Sequence, residues 1–429
     1  MPNAHVSNGP GPADDVLVVG AGIIGVACAL HLARQGRRVR VVDQQAPGQG
    51  ASFGNAGHLA TEQVFPIADL SILKGLPAML MDPMGPLRID WRYLPRALPW
   101  FLRLLLNLRP APFQRTVAGL RALNEGSLEA WRRLLAAIER PGLLQEDGSL
   151  LVYERAESHQ ALAALQARLG GQGVPVDEWD AGAVHQAAPQ LSERIRGGLF
   201  FPRTGHFIDP YRVVRELVEA AKAMGVRFHR QRVSGGRLLP DGVTLSTDAG
   251  ALRGRQVLIA CGAHSADLTA MLTGTRVPLD TERGYHLMLP HEQGRLPFAV
   301  TSFERRFIMT PMSDGLRLAG SVEFAGLQRP ANMARAWQLH RLSDGLFSRA
   351  LNVEAATPWM GFRPSLPDSL PIIDRVCEGR VLLAFGHQHL GLTQAAITAE
   401  HIARLALLPA TTGASQAAPD LAPYRLSRF

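Results

Sequence analysis

The chain has little cysteine: Cys28, Cys261 and Cys377 are the only three in 429 residues. They are far apart and show neither C-x-x-C nor zinc-ligand spacing, which argues against a disulfide framework and a structural zinc site. No metal is expected. Lysine is rarer still, with Lys74 and Lys222 alone. The net charge of +8 is therefore carried almost wholly by arginine. The arginines are scattered and not interleaved with aromatics, so the excess reads as a residue preference and not as a nucleic-acid footprint. The sequence also lacks an apolar run long enough to cross a bilayer, about 20 residues. Its opening, "MPNAHVSNGPGPADD", has neither the basic nor the apolar region of a secretory signal. It reads as a flexible lead-in, and the protein as cytoplasmic.

Apolar residues are plentiful, at 46%. A chain of this length exceeds most single cores and implies two lobes. The first begins with "DVLVVGAGIIGVACALHLARQGRRVRVVD", residues 15–43. "VLVVG" is a continuous apolar run, as in a parallel strand covered on both faces. Gly20, Gly22 and Gly25 follow in G-x-G-x-x-G spacing, with Ile23 and Ile24 between the last two. The first glycine permits a tight turn, the second a close approach to a pyrophosphate, and the third close packing of helix on strand. The helix start offers N–H groups to the phosphates. "RVRVVD" is the second strand, and Asp43 at its end is placed for a ribose hydroxyl. Strand, helix and terminal acid together point to a dinucleotide, without choosing between NAD and FAD. Cys28 lies within the helix and reads as packed.

The loop "QQAPGQGASFGNAGHLATEQ" comes next, with Ser52, Asn55, Gly57 and His58 close together. Its small residues suggest close backbone approach to a second part of the cofactor. Residues 66–140 read as mostly helical. "YLPRALPWFLRLLLNLRPAPF" is the most apolar part. Because prolines interrupt its pattern, it reads as a core or interface helix; the alternative is a membrane-surface contact punctuated by Arg96, Arg103 and Arg109. Residues 148–155 read as a strand and 158–169 as a helix. Asp209 is a natural N-cap for the next helix, with Pro210 at its first position. A hairpin then leads to a buried strand expected to return to the dinucleotide sheet. Residues 278–325 alternate as antiparallel strands, and 331–350 read as a helix. A final strand, a loop "HQHLGLTQ" and a helix close the chain.

These segments resemble the glycine/D-amino-acid oxidase family of FAD flavoproteins, most of all the branch of the bacterial D-amino acid dehydrogenase small subunit. The resemblance rests on the fingerprint above, "GASFGNAGHL", "GHFIDPYRVVRELVEAAKAMGVRF", "GFRPSLPDSLPIID" and "GHQHLGLTQA", and spans residues 14 to about 408. It implies an α/β fold in which a Rossmann-like FAD-binding domain is interleaved with an α+β substrate domain carrying an antiparallel sheet. Residues 14–61, 145–170, 205–277 and 359–410 are assigned to the first domain. Residues 62–144, 171–204 and 278–358 go to the second, and 1–13 and 411–429 to flexible ends.

The resemblance further implies extended FAD, with Gly20, Gly22, Ile23, Ile24 and Gly25 at the pyrophosphate and Asp43 at the ribose. Val233 would meet adenine and Gly262 would close over the ADP half. Ser52, Asn55 and Gly57 would line the flavin side, and Gly391, Leu392 and Thr393 would face the flavin carbonyl edge. The implied reaction oxidises the Cα–N bond of an amino acid. Arg363 would clamp the carboxylate, Tyr285 would assist it or shape the pocket, and His58 and His387 would flank the flavin. His58 and His389 depart from the branch's usual residues, which leaves open a cyclic or hydroxylated substrate such as D-hydroxyproline. Some relatives join FAD to a cysteine near the P-D motif; "WMGFRPSLPD" has none, so the flavin is expected to be non-covalent.

The leading expectation is a dehydrogenase of D-amino or cyclic imino acids that passes electrons to a quinone or other acceptor. A peripheral contact with the inner membrane accompanies it as an option. A glycine- or sarcosine-type oxidase using oxygen is the first alternative, and a non-catalytic flavin subunit the second. The oligomeric state is left open.

Overall fold

The computed structural model describes residues 14–66, 84–409 and 418–429. An eight-stranded sheet holds the first lobe. Its parallel part runs Arg227–Arg230, Val39–Asp43, Asp14–Val19, Gly250–Ile259 and Val381–Phe385. Leu17, Val18, Val257 and Leu258 are fully buried, as the continuous apolar runs require of strands covered on both faces. The second arm of the expected hairpin and the returning strand are one continuous strand, Gly250–Ile259. Its first half pairs antiparallel with Gly242–Thr247, and its second half pairs parallel with Asp14–Val19.

The helix Ile23–Arg34 packs beside Gly391–Ala406 and Pro210–Ala223 in one apolar cluster with the parallel strands. Asp209 caps its helix as expected, accepting from the Arg212 N–H at 2.9 Å. The helix in 331–350 is shorter than expected, Ala334–Ser343.

A nine-stranded sheet forms the second lobe. Strands Thr357–Ser365, Asp280–Leu289, Gly315–Phe324, Phe307–Met312 and Ala299–Ser302 run antiparallel in that order. Ser149–Tyr153 extends it beside Ala299–Ser302. This corrects the assignment of 145–170 to the dinucleotide lobe. Leu150 and Val152 enter the core of the nine-stranded sheet, and Leu162 and Leu169 of the next helix pack on Leu199 and Phe201. A generic apolar strand does not reveal which sheet it joins.

The C-terminal end is a second correction. Residues 418–429 are docked: Leu421, Tyr424 and Leu426 are buried. The Tyr424 hydroxyl donates to the Gly119 carbonyl at 2.7 Å, and Arg428 pairs with Asp368 at 2.6 Å. The remaining residues expected to be flexible, 1–13 and 411–417, lie outside the described ones, as does Lys74.

Among the described residues of 66–140 there are two helices, Leu94–Asn107 and Pro110–Ala137. Pro95 and Pro110 stand in the first turns, where a missing N–H costs little. They start helices rather than break one.

Candidate active site

A cavity of about 1090 Å³ runs from the ends of the parallel strands to the nine-stranded sheet. Gly20, Gly22, Ile23, Ile24, Asp43, Ser52, Asn55, Val233, Gly262, Gly391 and Leu392 line it, together with His58, Tyr285, Arg363, His387 and His389. The sequence expectations therefore meet in one place. Three residues stand behind the wall. A Cβ on Gly25 would lie 2.0 Å from the Gly20 carbonyl oxygen, so this glycine serves helix–strand approach. Gly57 turns the chain at φ +81°, against the Phe207 carbonyl. Thr393 accepts from the Ala60 N–H at 3.0 Å through its hydroxyl.

At one end the geometry suits a dinucleotide. Gly20 has φ +108°, and a Cβ there would stand 2.3 Å from the Ala260 carbonyl oxygen. The Ser52 hydroxyl accepts from the Ile23 N–H at 2.9 Å, which leaves its own proton to donate. Asp43 accepts from the Ala21 N–H at 2.7 Å with one oxygen and from the Gln45 N–H at 2.8 Å with the other. Each oxygen keeps a lone pair for a ribose hydroxyl. The helices beginning at Ile23 and Gly391 both open into the cavity, and neither has a side-chain cap from its N-cap residue. Two helix starts aimed at one cavity favour a ligand with negative charge at both places. The residues present thus fit FAD.

The loop between is pinned from the second lobe. His286 donates through Nδ1 to the Gly54 carbonyl at 2.9 Å and stacks on Trp359 at 5.0 Å. Burial depresses its pKa to about 3, so the ring is neutral. Arg317 donates to the Asn55 carbonyl, and burial pulls its pKa down to about 10. Asn55 in turn accepts from the Gly57 N–H at 2.9 Å.

At the other end stands Arg363, opposite Glu282 in the strand register. Its Nη1 donates to the Ser321 carbonyl at 3.0 Å. Ser321, at φ +62°, sits where the pairing of Gly315–Phe324 with Asp280–Leu289 slips by a residue, and this bulge turns the carbonyl. The guanidinium crosses the face of Gly284, which has no side chain to block it. Burial lowers the Arg363 pKa, and the Glu282 carboxylate opposes that shift. Glu282 is held above the usual carboxylate range by burial and accepts from the Ser365 hydroxyl at 2.5 Å.

Tyr285 borders the cavity, and only its expected assistance to the carboxylate requires a correction. Residues alternate across a strand, so Tyr285 points away from the face shared by Glu282, Gly284 and Arg363. Its hydroxyl donates to Glu323 at 2.6 Å, and burial, helped by that carboxylate, pushes its pKa up to about 12. The proton is not free for a substrate carboxylate. Among the three histidines, His58 has both ring nitrogens against protein oxygens, Gly205 O at 3.2 Å and Glu62 Oε1 at 3.1 Å. His387 meets the Thr398 hydroxyl at 3.0 Å, and burial holds its pKa near 3. His389 is likewise depressed to about 3, first by burial and then by the Arg363 and His58 charges, and its Nε2 faces Gln63.

Glu282, Gly284, His286, Arg317, Ser321 and Trp359 were missed in sequence. A glycine inside the strand pattern "ERGYHLML" is the one signal that could have revealed the close approach at Gly284.

Residues 15–405 match the protein family described as DAO, FAD dependent oxidoreductase. A D-amino-acid oxidase of Bradyrhizobium diazoefficiens is 34% identical over 425 residues, covering 96% of this chain and 98% of the relative. A D-amino acid dehydrogenase of Vibrio cholerae is 29% identical over 402 residues, covering 91% and 94%. Among solved structures, glycine oxidase from Geobacillus kaustophilus superposes with a TM-score of 0.73 at 23% identity, covering 97% of this chain and 99% of the other, which supports the fold.

Proposed function

Because the chain belongs to the DAO family of FAD-dependent oxidoreductases, we propose that it oxidises the Cα–N bond of a D-amino acid, or of a cyclic imino acid of D-proline or D-hydroxyproline type, to the imine. The observation that carries this reading is Arg363, a half-buried guanidinium laid across Gly284 in the wall of the cavity. A planar fork of N–H donors recognises a carboxylate bidentately. Oxidation removes a hydride from Cα and a proton from nitrogen, and water then converts a primary imine to keto acid and ammonia. When bound, FAD supplies the two-electron acceptor. Gly20, Gly22, Ile23, Ile24, Ser52 and Asp43 would hold its ADP half with Val233 and Gly262. Asn55, Gly391 and Leu392 would border its ring.

Arg363 fixes the substrate by its carboxylate, and Glu282 keeps the guanidinium's charge in a buried place. His387 and His58 act as supports, since their rings are tied to Thr398, Glu62 and Gly205. Trp359 and His286 close the loop beside the reacting end and restrict water.

For the electrons we propose a quinone or similar acceptor. Lys222, one of two lysines, is exposed and paired with Glu219 at 2.8 Å, away from the cavity. A second reading, direct use of oxygen, is supported by the name of the Bradyrhizobium relative.

The test is anaerobic loss of flavin absorbance on adding D- and L-amino acids, D-proline, cis-4-hydroxy-D-proline, sarcosine or glycine. A D-amino or D-imino acid should bleach the flavin fastest. Bleaching by sarcosine or glycine alone would move the reading to an amine oxidase. Bleaching by none would leave a flavin-binding protein without turnover.

A further inference from the structure

The helix Leu94–Asn107 is not a core helix. It turns Ala97 and Trp100 inward and an apolar face outward. Trp91 is 57% exposed, Leu98 49%, Leu102 54%, Leu105 48% and Leu106 53%. These are five of the eleven large hydrophobic side chains exposed among the described residues, gathered within sixteen positions. The spacing of the four leucines puts them along one side of the helix, and Trp91 stands in the turn before it. The inward side fixes the orientation. The Trp100 indole donates to the Ser365 carbonyl at 3.3 Å and packs on Phe324 at 5.2 Å. Just before the helix, the Tyr93 hydroxyl donates to Asp280 at 2.8 Å. The apolar face is therefore presented outward by a rigid mount.

Charge says what it fits. Arg92, Arg96, Arg103 and Arg109 are exposed beside the leucines, and no acidic residue occurs between Trp91 and Arg115. Among the described residues, none of Arg92, Arg96 and Arg103 is in an ion pair with a side chain. A helix with leucine and tryptophan on one side, flanked by basic residues, has the chemistry of an interfacial anchor. The arginine stems lie along the apolar layer while their heads reach phosphates. A second copy of this chain fits poorly, because a two-fold contact would bring arginines against arginines. Fourteen residues of helix span only about 21 Å, too short to cross a bilayer, so the helix lies in the interface plane.

We propose that this face docks the protein onto an anionic lipid surface. The proposal goes beyond the oxidation reaction and does not depend on it. It places the second lobe, whose strand Thr357–Ser365 carries both Arg363 and the mount for Trp100, next to the phase in which an apolar acceptor dissolves.

The test uses the full-length, flavin-loaded protein and sedimented vesicles. Binding is expected to vesicles of phosphatidylcholine with phosphatidylglycerol, to weaken with salt, and to be absent from phosphatidylcholine alone. Tryptophan emission should shift to the blue on binding, and Trp91→Phe should reduce that shift. Leu102→Glu with Leu106→Glu should lower binding by about tenfold or more. Both positions are exposed, so flavin content and dye-coupled turnover should stay as in the wild type. Failure of the wild type to bind, binding indifferent to lipid charge, or unchanged binding of the double variant would each overturn the proposal. So would a dimer in light scattering that the double variant dissociates, since a second copy would then cover the face. Vesicle binding without turnover of any amino acid would sink the reaction proposed above and leave the docking face standing.

Discussion

The Arg363 guanidinium occupies the space that a side chain on Gly284 would fill: a Cβ there would stand 2.2 Å from Nη2 and 2.8 Å from Nε. The two positions are thus a matched pair, one strand giving up its side chain so that its neighbour can present a charge. Gly284→Ala should displace the guanidinium by about an ångström. The far end of a flexible arginine yields easily, so the melting temperature should change little. A misplaced clamp should nevertheless lower kcat/KM by about ten- to a hundredfold. Steady-state kinetics beside a thermal melt decide it; unchanged kcat/KM would mean the guanidinium does not need its present place.

Removing the charge goes further. Arg363→Ala should cost about 3–5 kcal/mol of transition-state stabilisation, or about two to four orders of magnitude in kcat/KM. Arg363→Lys should restore only part, because an ammonium cannot reproduce the fork. Flavin content should be normal. The amide of the best substrate, already poor, should lose little more. If acid and amide decline equally, Arg363 supports the fold and the carboxylate is held elsewhere.

Gly20 tests the cofactor end. Its φ of +108° and the Ala260 carbonyl 2.3 Å from a built Cβ leave no room for alanine, and both obstacles are backbone. Gly20→Ala should cost about 1–3 kcal/mol in strain and open the turn under the pyrophosphate. The protein should purify with little flavin and melt lower. Full flavin content at the wild-type melting temperature would show that the turn is not the cradle.

The dinucleotide end was legible in sequence because its rules are local. Gly20, Gly22, Gly25 and Asp43 fall within one strand–helix–strand unit, and each has its role by chain spacing alone. The substrate end was legible only through family likeness. Arg363 was found from its motif, while Gly284, Ser321 and Glu282 are brought to it by strand register, which no local pattern records. Tyr285 shows the limit: it is one residue from Gly284, and the strand's alternation turns it away. For a related reason the sequence left a core, an interface and a membrane-surface reading of the helix Leu94–Asn107 side by side, and the structure removes only the core one. Apolar periodicity marks an apolar face but does not say whether protein covers it.

Cys261 is the cysteine that reaches the cavity. Its thiol donates to the Val19 carbonyl at 3.2 Å, and burial pushes its pKa up to about 12. A thiol so protonated is a poor nucleophile. Acid precipitation should therefore release the yellow flavin into the supernatant. Colour that stays with the pellet would show a covalent bond and overturn the expectation.

Two buried histidines and a half-buried one make stability depend on pH. His286, His387 and His389 are each depressed from 6.5 to about 3, by burial first. The unfolded chain takes up these protons near pH 6.5, whereas the folded protein resists them until about pH 3. Their stabilisation is whole above the unfolded value and is lost as pH falls between those limits, by up to about 1.4 kcal/mol per pH unit for each histidine. His387→Asn isolates one contribution. The variant should be less stable at every pH, having lost the imidazole against Thr398. The stability difference between about pH 8 and pH 5 should nevertheless shrink by about 2 kcal/mol, because one fewer group takes up a proton on unfolding. Subtracting the variant's difference from that of the wild type cancels the carboxyl groups both proteins carry, such as Glu282, whose raised values act in the opposite sense. Denaturant melts at the two pH values give the number directly. An unchanged difference in the variant would show that His387 is protonated as readily in the folded protein as in the unfolded chain.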